Sequence, residues 1–413
     1  MNETFYHNLP NGVQIVHRKT QSPVVYVGLM IGAGTRHEQA NENGMAHYIE
    51  HCVFKGTEHY NARQIINHIE GIGGEINAYT TKEETTFYAA TLCNHFRTTL
   101  HLLADMVLRP TFNKKETDKE VTVILDEIES YNDSPSELIY DDFENMVFEG
   151  SSLAMPILGT KKTLRRISKS PEIALNWMKT HYRPERIVLF VQGNVSTKQV
   201  ISSAERELGE VPHISSLSSH SSLSSQSSMP SATTRTYKRH THQTHVMLGS
   251  HAYPIGHPKQ LTMYLLNNIL GGGSMSSRLY LSLREKHGLV YNIDSQAVPL
   301  SDTGYWNIYL ACEPQHKDQC LELCHKELQM LRDVQLSSSQ LQRALRQLEG
   351  QMAISAENQE NNALAMAKQM LYHHHAPAWQ ETFAKVKEIT STQLQDVANE
   401  VFAPEKIYTL LYD

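Results

Sequence analysis

The chain has 413 residues, 40% hydrophobic and 20% charged, with a formal net charge of −7. That length supports two or three domains with sizeable cores, and the acidic balance excludes any strong expectation of a nucleic-acid partner. Five cysteines, few and odd in number, fit a reducing compartment better than a disulfide framework. Met1-Asn2-Glu3-Thr4-Phe5 lacks the basic region and apolar stretch of a signal peptide, and no run reaches the ~18 apolar residues of a membrane span. The expectation is a cytoplasmic protein with no membrane span.

In chain order, Leu9-Pro10-Asn11-Gly12 reads as a hairpin turn between two short strands. Residues 23–32, PVVYVGLMIG, read as a buried strand. Asn43-Gly44 opens a helix that Lys55-Gly56 ends, and a second helix covers 61–72 with Gly73-Gly74 as its stop. Strands are predicted at 76–79 and 85–92, then helices at 94–108 and 113–131, the latter opening on Asn113 and Glu116 as a capping box. Ser170-Pro171 starts a further helix, followed by Tyr182-Arg183-Pro184-Glu185-Arg186-Ile187 and the strand IVLFVQG.

Residues 214–234, ISSLSSHSSLSSQSSMPSATT, are dominated by serine and cannot build a core, so they read as a linker. Beyond them, strands at 243–250, 289–298 and 303–311 are interspersed with helices at 258–270, 314–332 and 337–356. A helix from about 392 leads to Phe402-Ala403-Pro404-Glu405-Lys406-Ile407 and the strand IYTLLY. The pattern aromatic-x-Pro-Glu-basic-Ile therefore recurs before a terminal strand, which points to internal duplication. The predicted fold is α+β: two homologous α/β sandwich domains, each a mainly antiparallel sheet packed by helices. The first domain is 1–213, the linker 214–234, and the duplicated domain 235–413.

The chemistry concentrates in His47-Tyr48-Ile49-Glu50-His51. On a helix the two histidines are i and i+4, on one face, the spacing that grips a zinc ion, and Glu50 lies on the same side. The order H-x-x-E-H is that of the inverzincins. A catalytic zinc needs a third protein ligand, for which an acidic residue is expected. The helix at 113–131 offers Glu116, Glu120 and Glu127 on one face, while Asp126 and Glu129 point away. Spacing does not choose among the three, and a solvated acidic stripe is the alternative. Cys320 and Cys324, with His316 nearby, read as a buried helix face, and His373-His374-His375 as a solvated helix end.

Five runs carry a wider resemblance: Gly32-Ala33-Gly34-Thr35-Arg36-His37-Glu38, Gly44-Met45-Ala46-His47-Tyr48-Ile49-Glu50-His51, Phe54-Lys55-Gly56-Thr57, Gly73-Gly74-Glu75-Ile76-Asn77-Ala78-Tyr79-Thr80 and Val123-Ile124-Leu125-Asp126-Glu127-Ile128. Together they are similar to the pitrilysin family of zinc peptidases, above all its short-chain branch, which includes mitochondrial processing peptidase. The resemblance implies that Glu127 joins His47 and His51 as third ligand, and that Glu120 tunes the histidines. It implies a zinc-dependent endopeptidase in which zinc acidifies a water and Glu50 is the general base. The second half lacks H-x-x-E-H, so one zinc per chain is expected. Arg284 and Tyr291 resemble the family's R-x6-Y pair, which reaches across to the site from the duplicated domain. Asn77, Ala78 and Tyr79 resemble its substrate-binding edge strand, with a peptide or unfolded segment as partner. Four such units enclose a chamber in the family, so this two-unit chain is expected to dimerise, as a homodimer or with a related chain. The alternative is a catalytic or scaffold subunit of a heteromeric processing peptidase. Residues 1 to about 213 alone are expected to bind zinc without cleaving peptides efficiently.

Overall fold

The alternating and all-apolar runs of the first half assemble into one sheet. In the computed structural model, which describes residues 4–211, 231–239 and 241–413, the strands are β1 (Thr4–Asn8), β2 (Gln14–Lys19), β3 (Val24–Ile31), β4 (Glu75–Thr80), β5 (Thr85–Leu92) and β6 (Ile187–Gly193). Their order is β1-β2-β6-β3-β5-β4, antiparallel except for the β2–β6 pair. The helices of this half are α1 (Met45–Val53), α2 (Ala62–Glu70), α3 (Phe96–Leu108), α4 (Lys114–Asn132), α5 (Pro135–Val147), α6 (Lys161–Ile167), α7 (Pro171–His181) and α8 (Thr197–Leu208).

The second half repeats the plan. Its strands β7 (Thr234–Tyr237), β8 (Thr244–His251), β9 (Val290–Pro299), β10 (Gly304–Cys312) and β11 (Tyr408–Tyr412) follow the order β7-β11-β8-β10-β9. Position for position this matches β2-β6-β3-β5-β4, including the single parallel pair, β7 with β11. The helices are α9 (Gln260–Gly271), α10 (Lys317–Asp333), α11 (Ser338–Glu357), α12 (Gln359–His373), α13 (Trp379–Val386) and α14 (Ser391–Val401). The fold is thus α+β and duplicated. Residues 214–230 of the serine-rich stretch lie outside the described residues, and its last residue, Thr234, opens β7.

A single cut at the linker does not separate the compact units. The first unit takes the chain up to Glu129, resumes at Met155 and includes Ser355–Pro377; the second includes Ser130–Ala154 and Ala378–Asp413. The reason is that each sheet is apolar on both faces. In the first, Ile15, Leu29, Leu189 and Val191 face one core with α1 and α3, while Val16, Met30, Val188 and Phe190 face the other way. That second face is covered by Ala363, Met366, Ala367 and Met370 of α12. In the second unit, Leu138, Ile139, Phe143 and Met146 of α5 likewise cover Met247, Tyr305, Tyr309 and Leu410. Each sheet therefore borrows a helix from the other half of the sequence.

Two smaller expectations change. Asn113 does cap α4, accepting from the Lys115 N–H at 3.1 Å, but Glu116 does not complete a capping box; it pairs with Lys119. The histidines after α12 are exposed yet anchored, His374 Nδ1 lying 2.8 Å from Gln14 Oε1 and His375 stacking on Tyr6. Cys320 and Cys324 are fully buried in the second core.

Met366, buried against the first sheet from a distant point in the sequence, gives the test of this exchange. Met366→Ala is expected to cost about 2–5 kcal/mol in denaturant unfolding. Hydrogen-exchange protection should fall in β2, β3 and β6 and hold in β8 and β10.

Candidate metal and catalytic site

α1 is built to be buried. Its N-cap Gly44 sits at φ 90°, and a Cβ there would fall 2.8 Å from the Gly159 Cα, so both the backbone conformation and the close approach call for glycine. The orphan N–H groups of the first turn are met by Glu38, whose two carboxylate oxygens accept from Gly44 and Ala46 at 2.8 Å each. Glu38 is 5% exposed. Burial pushes its pKa up to about 7, with the hydrogen bonds from Ala46 and Gly44 opposing.

From this helix His47 and His51 project together, ring centroids 4.6 Å apart. Glu127, on α4, meets both: its Oε2 lies 3.7 Å from His47 Nε2 and 3.5 Å from His51 Nε2. The three residues form the one group among the described residues whose donor atoms could share a metal ion. Zinc bonds of about 2.0–2.1 Å at tetrahedral angles set ligand–ligand edges of roughly 3.3–3.4 Å. The observed separations sit a few tenths of an ångström above that, so the donor set fits zinc in both chemistry and spacing. The other nitrogen of His51, Nδ1, lies 3.1 Å from Glu120 Oε2, and Lys55 Nζ lies 2.7 Å from Glu120 Oε1. A carboxylate at Nδ1 fixes the tautomer that leaves Nε2 free for a metal. Of the acidic face on α4, Glu120 and Glu127 turn inward and Glu116 turns to Lys119, so packing makes the choice that spacing left open.

Electrostatics follow the geometry. Burial and the neighbouring His51 push the His47 pKa down to about 4, with Glu127 opposing. Burial lowers His51 too, but the flanking carboxylates Glu127 and Glu120 outweigh it and the net shift is upward. The contact with His51 holds Glu127 below the usual carboxylate range, against partial burial. Glu50 is no member of the donor group. Its Oε2 accepts from the Thr80 hydroxyl at 2.5 Å, and burial raises its pKa while that bond and His51 resist.

Asn77, Ala78 and Tyr79 lie in β4, at the edge of the first sheet, where β5 is the strand's one partner among the described residues. Arg284 and Tyr291 belong to the second unit. Arg284 stands in a π-helical segment, Tyr280–Lys286, with its guanidinium over the rings of Tyr280 and Tyr291 at 4.8 and 5.1 Å. Tyr291 is 73% exposed. Sequence reasoning missed Glu38, Lys55 and Thr80 as partners of the site. All three lie inside the quoted runs, but their roles depend on contacts that no local pattern encodes.

If Glu120 orients His51, Glu120→Ala should weaken zinc binding about 10–100-fold in a chelator competition. Lys55→Met should act in the same direction with a smaller effect. Unchanged affinity in both variants would leave Glu120 as a buried structural charge.

The comparisons with known proteins agree along the whole chain. A family model described as insulinase (peptidase family M16) matches residues 14–161, and one described as peptidase M16 inactive domain matches residues 170–348. An uncharacterised zinc protease of Bacillus subtilis is 31% identical over 402 residues, covering 97% of this chain and 96% of the relative. The mitochondrial-processing peptidase subunit beta of Bos taurus is 26% identical over 402 residues, covering 96% and 81%. A crystal structure of a protease from Helicobacter pylori superposes with a TM-score of 0.89 over 100% of both chains at 19% identity, a likeness of fold alone.

Proposed function

Because this chain belongs to peptidase family M16, the insulinase family, we propose that it is a zinc-dependent endopeptidase acting on peptides or unfolded protein segments. The observation that carries this reading is the convergence of His47, His51 and Glu127, with the Glu50 carboxylate tied to the end of an open edge strand. The chemistry that zinc supplies when held by those three residues is acidification of a water and polarisation of a peptide carbonyl.

The remaining work falls to the chain's own groups. An extended substrate adds to β4 beside Asn77, Ala78 and Tyr79 through main-chain hydrogen bonds, which accept most sequences and leave preference to side-chain pockets. Glu50 takes a proton from the water as the new C–O bond forms and the carbonyl oxygen gains charge, then gives it to the leaving nitrogen as the oxyanion collapses and the peptide C–N bond breaks. The upward push of burial on Glu50 suits a base that must also give the proton back. Tyr291 is proposed to donate to the developing oxyanion and Arg284 to hold the substrate backbone.

One zinc per chain is proposed because H-x-x-E-H occurs once, and the two-unit chain is proposed to dimerise, as a homodimer in the first reading. The likeness to a protein named as a subunit beta favours a second reading, in which this chain is a catalytic or scaffold subunit beside a related chain. Size-exclusion chromatography with light scattering on the purified chain separates the two, since a chain awaiting a different partner stays monomeric. Among the described residues no helix is long and apolar enough to cross a membrane.

Glu50→Gln is expected to keep its zinc by elemental analysis and to lose cleavage of a labelled unfolded protein by roughly 10²–10⁴-fold. Wild-type turnover, or loss of zinc, in that variant would remove Glu50 from its role. Tyr291→Phe is expected to lower kcat about a hundredfold with zinc content unchanged; an unaltered rate would confine Tyr291 to its stack with Arg284.

A further inference from the structure

The last residue of the edge strand β4 is Thr80, and its hydroxyl is the donor that meets the Glu50 carboxylate at 2.5 Å. The chain just after Thr80 is unusually well anchored for a turn between two strands. The Thr81 and Lys82 carbonyls accept from the backbone N–H groups of Thr35 and Arg36 at 3.3 and 2.7 Å, and the Thr81 N–H donates to the Glu84 carbonyl at 2.8 Å. Three consecutive charged side chains, Lys82, Glu83 and Glu84, are all buried. Lys82 Nζ donates to the Met155 carbonyl at 2.6 Å, and Glu83 pairs with the buried Arg36 at 2.6 Å. Glu84 takes Lys368 at 2.7 Å and the Tyr372 hydroxyl at 2.6 Å. A Cβ on Gly34 would lie 2.4 Å from the Thr81 carbonyl oxygen, so the turn is also clasped from the other side. Buried charges are tolerated only when paired, and pairs drawn from separate segments hold the backbone that carries them. By contrast Glu75 and Asn77, nearer the start of β4, are exposed.

Thr80 is therefore a fixed point at the end of an edge strand whose one partner among the described residues is β5. A glutamate has three rotatable side-chain bonds, and a carboxylate left free to choose among rotamers spends little of its time aimed at one water. Threonine, stiff at χ1, is a suitable anchor for it. We infer that Thr80 is a positioning residue: its hydroxyl aims the Glu50 carboxylate, so that the strand receiving the substrate also sets the base. This rests on the peptidase reading. Its consequence is that a peptide adding to β4 is brought into register with Glu50 by the same backbone that holds Glu50 in place.

The test compares zinc-loaded full-length wild type, Thr80→Val and Thr80→Ser on fluorophore-labelled, reduced and carboxymethylated lactalbumin, with zinc content measured alongside. Valine keeps the shape and removes the donor; serine restores it. The expected result is a kcat lowered about 10–100-fold in Thr80→Val, with KM within roughly twofold, zinc content unchanged, and Thr80→Ser within about threefold of wild type. Wild-type kcat in Thr80→Val would overturn the proposal. So would a loss confined to KM, or Thr80→Ser falling as far as Thr80→Val. A wild-type chain that cleaves nothing, or Glu50→Gln with full turnover, is instead a failure of the peptidase reading. Independently of turnover, a crystal structure of Thr80→Val with the Glu50 carboxylate in its original place would overturn the role of Thr80.

Discussion

A helix buried among apolar side chains can carry two histidines and a glutamate only if nearly every polar atom on it is met, because an unmatched buried group costs about 1–3 kcal/mol. α1 satisfies that demand from three directions. Glu38, before the helix, takes the N–H groups of its first turn. Thr80, at the end of β4, takes Glu50. Glu120, on α4, takes His51, and Lys55, just past the helix, takes Glu120 in turn. The atom left over is His47 Nδ1, buried without a hydrogen-bond partner. The nitrogen of His47 that faces Glu127 is the other one, Nε2, so the group proposed to hold a metal stands on a helix whose other polar groups are largely met by partners the fold brings to it.

The duplicated unit shows which part of that arrangement belongs to the scaffold. Its α9 carries no histidine, yet Asn267 on α9 is bonded to the edge strand: the Ser295 hydroxyl of β9 donates to Asn267 Oδ1 at 2.6 Å, and Asn267 Nδ2 donates to the Ser295 carbonyl at 2.9 Å. A helix tethered to the edge strand through a strand hydroxyl is therefore common to both copies. In the first copy the tethered group is a carboxylate beside two imidazoles. In the second it is an amide among Leu265, Leu266 and Leu270. Both sheets keep two apolar faces, which holds each strand to its register, since a one-residue slip would turn every side chain to the other face. The helix face could diverge because its polar partners are few, chiefly Thr80, Glu120 and Glu127.

Much of this was legible in the sequence wherever the determinant is local. The apolar 23–32 run matches β3, the Gly44 signal opened α1, and the repeated Pro-Glu-basic-Ile pattern announced the duplication present in two matching sheets, while α2 stops at Glu70 with Gly71 as its C-cap, short of the expected Gly73-Gly74. H-x-x-E-H placed His47 and His51 on one face because helical spacing is itself local. The choice of Glu127 over Glu116 was not available from spacing, since it depends on how α4 lies against α1. The borrowed helices were equally hidden. The apolar stripe of α12 is readable, but nothing in its own residues says which sheet it covers.

That exchange changes what a fragment can be. Residues 1 to about 213 contain every proposed metal ligand and the proposed base, so a linear reading makes them a zinc-binding piece that merely lacks Arg284 and Tyr291. In the fold they lack α12 as well, and with it the side chains that cover Val16, Met30, Val188 and Phe190. A sheet face stripped in this way is an aggregation surface rather than a stable end state. The fragment would also lose Lys368 and Tyr372 from Glu84, leaving a buried carboxylate without those two partners in the turn just after Thr80. Cutting at the linker therefore removes part of the support for the first unit's own site. The second half of the sequence contributes to that site through the first unit's core, whatever Arg284 and Tyr291 add to catalysis.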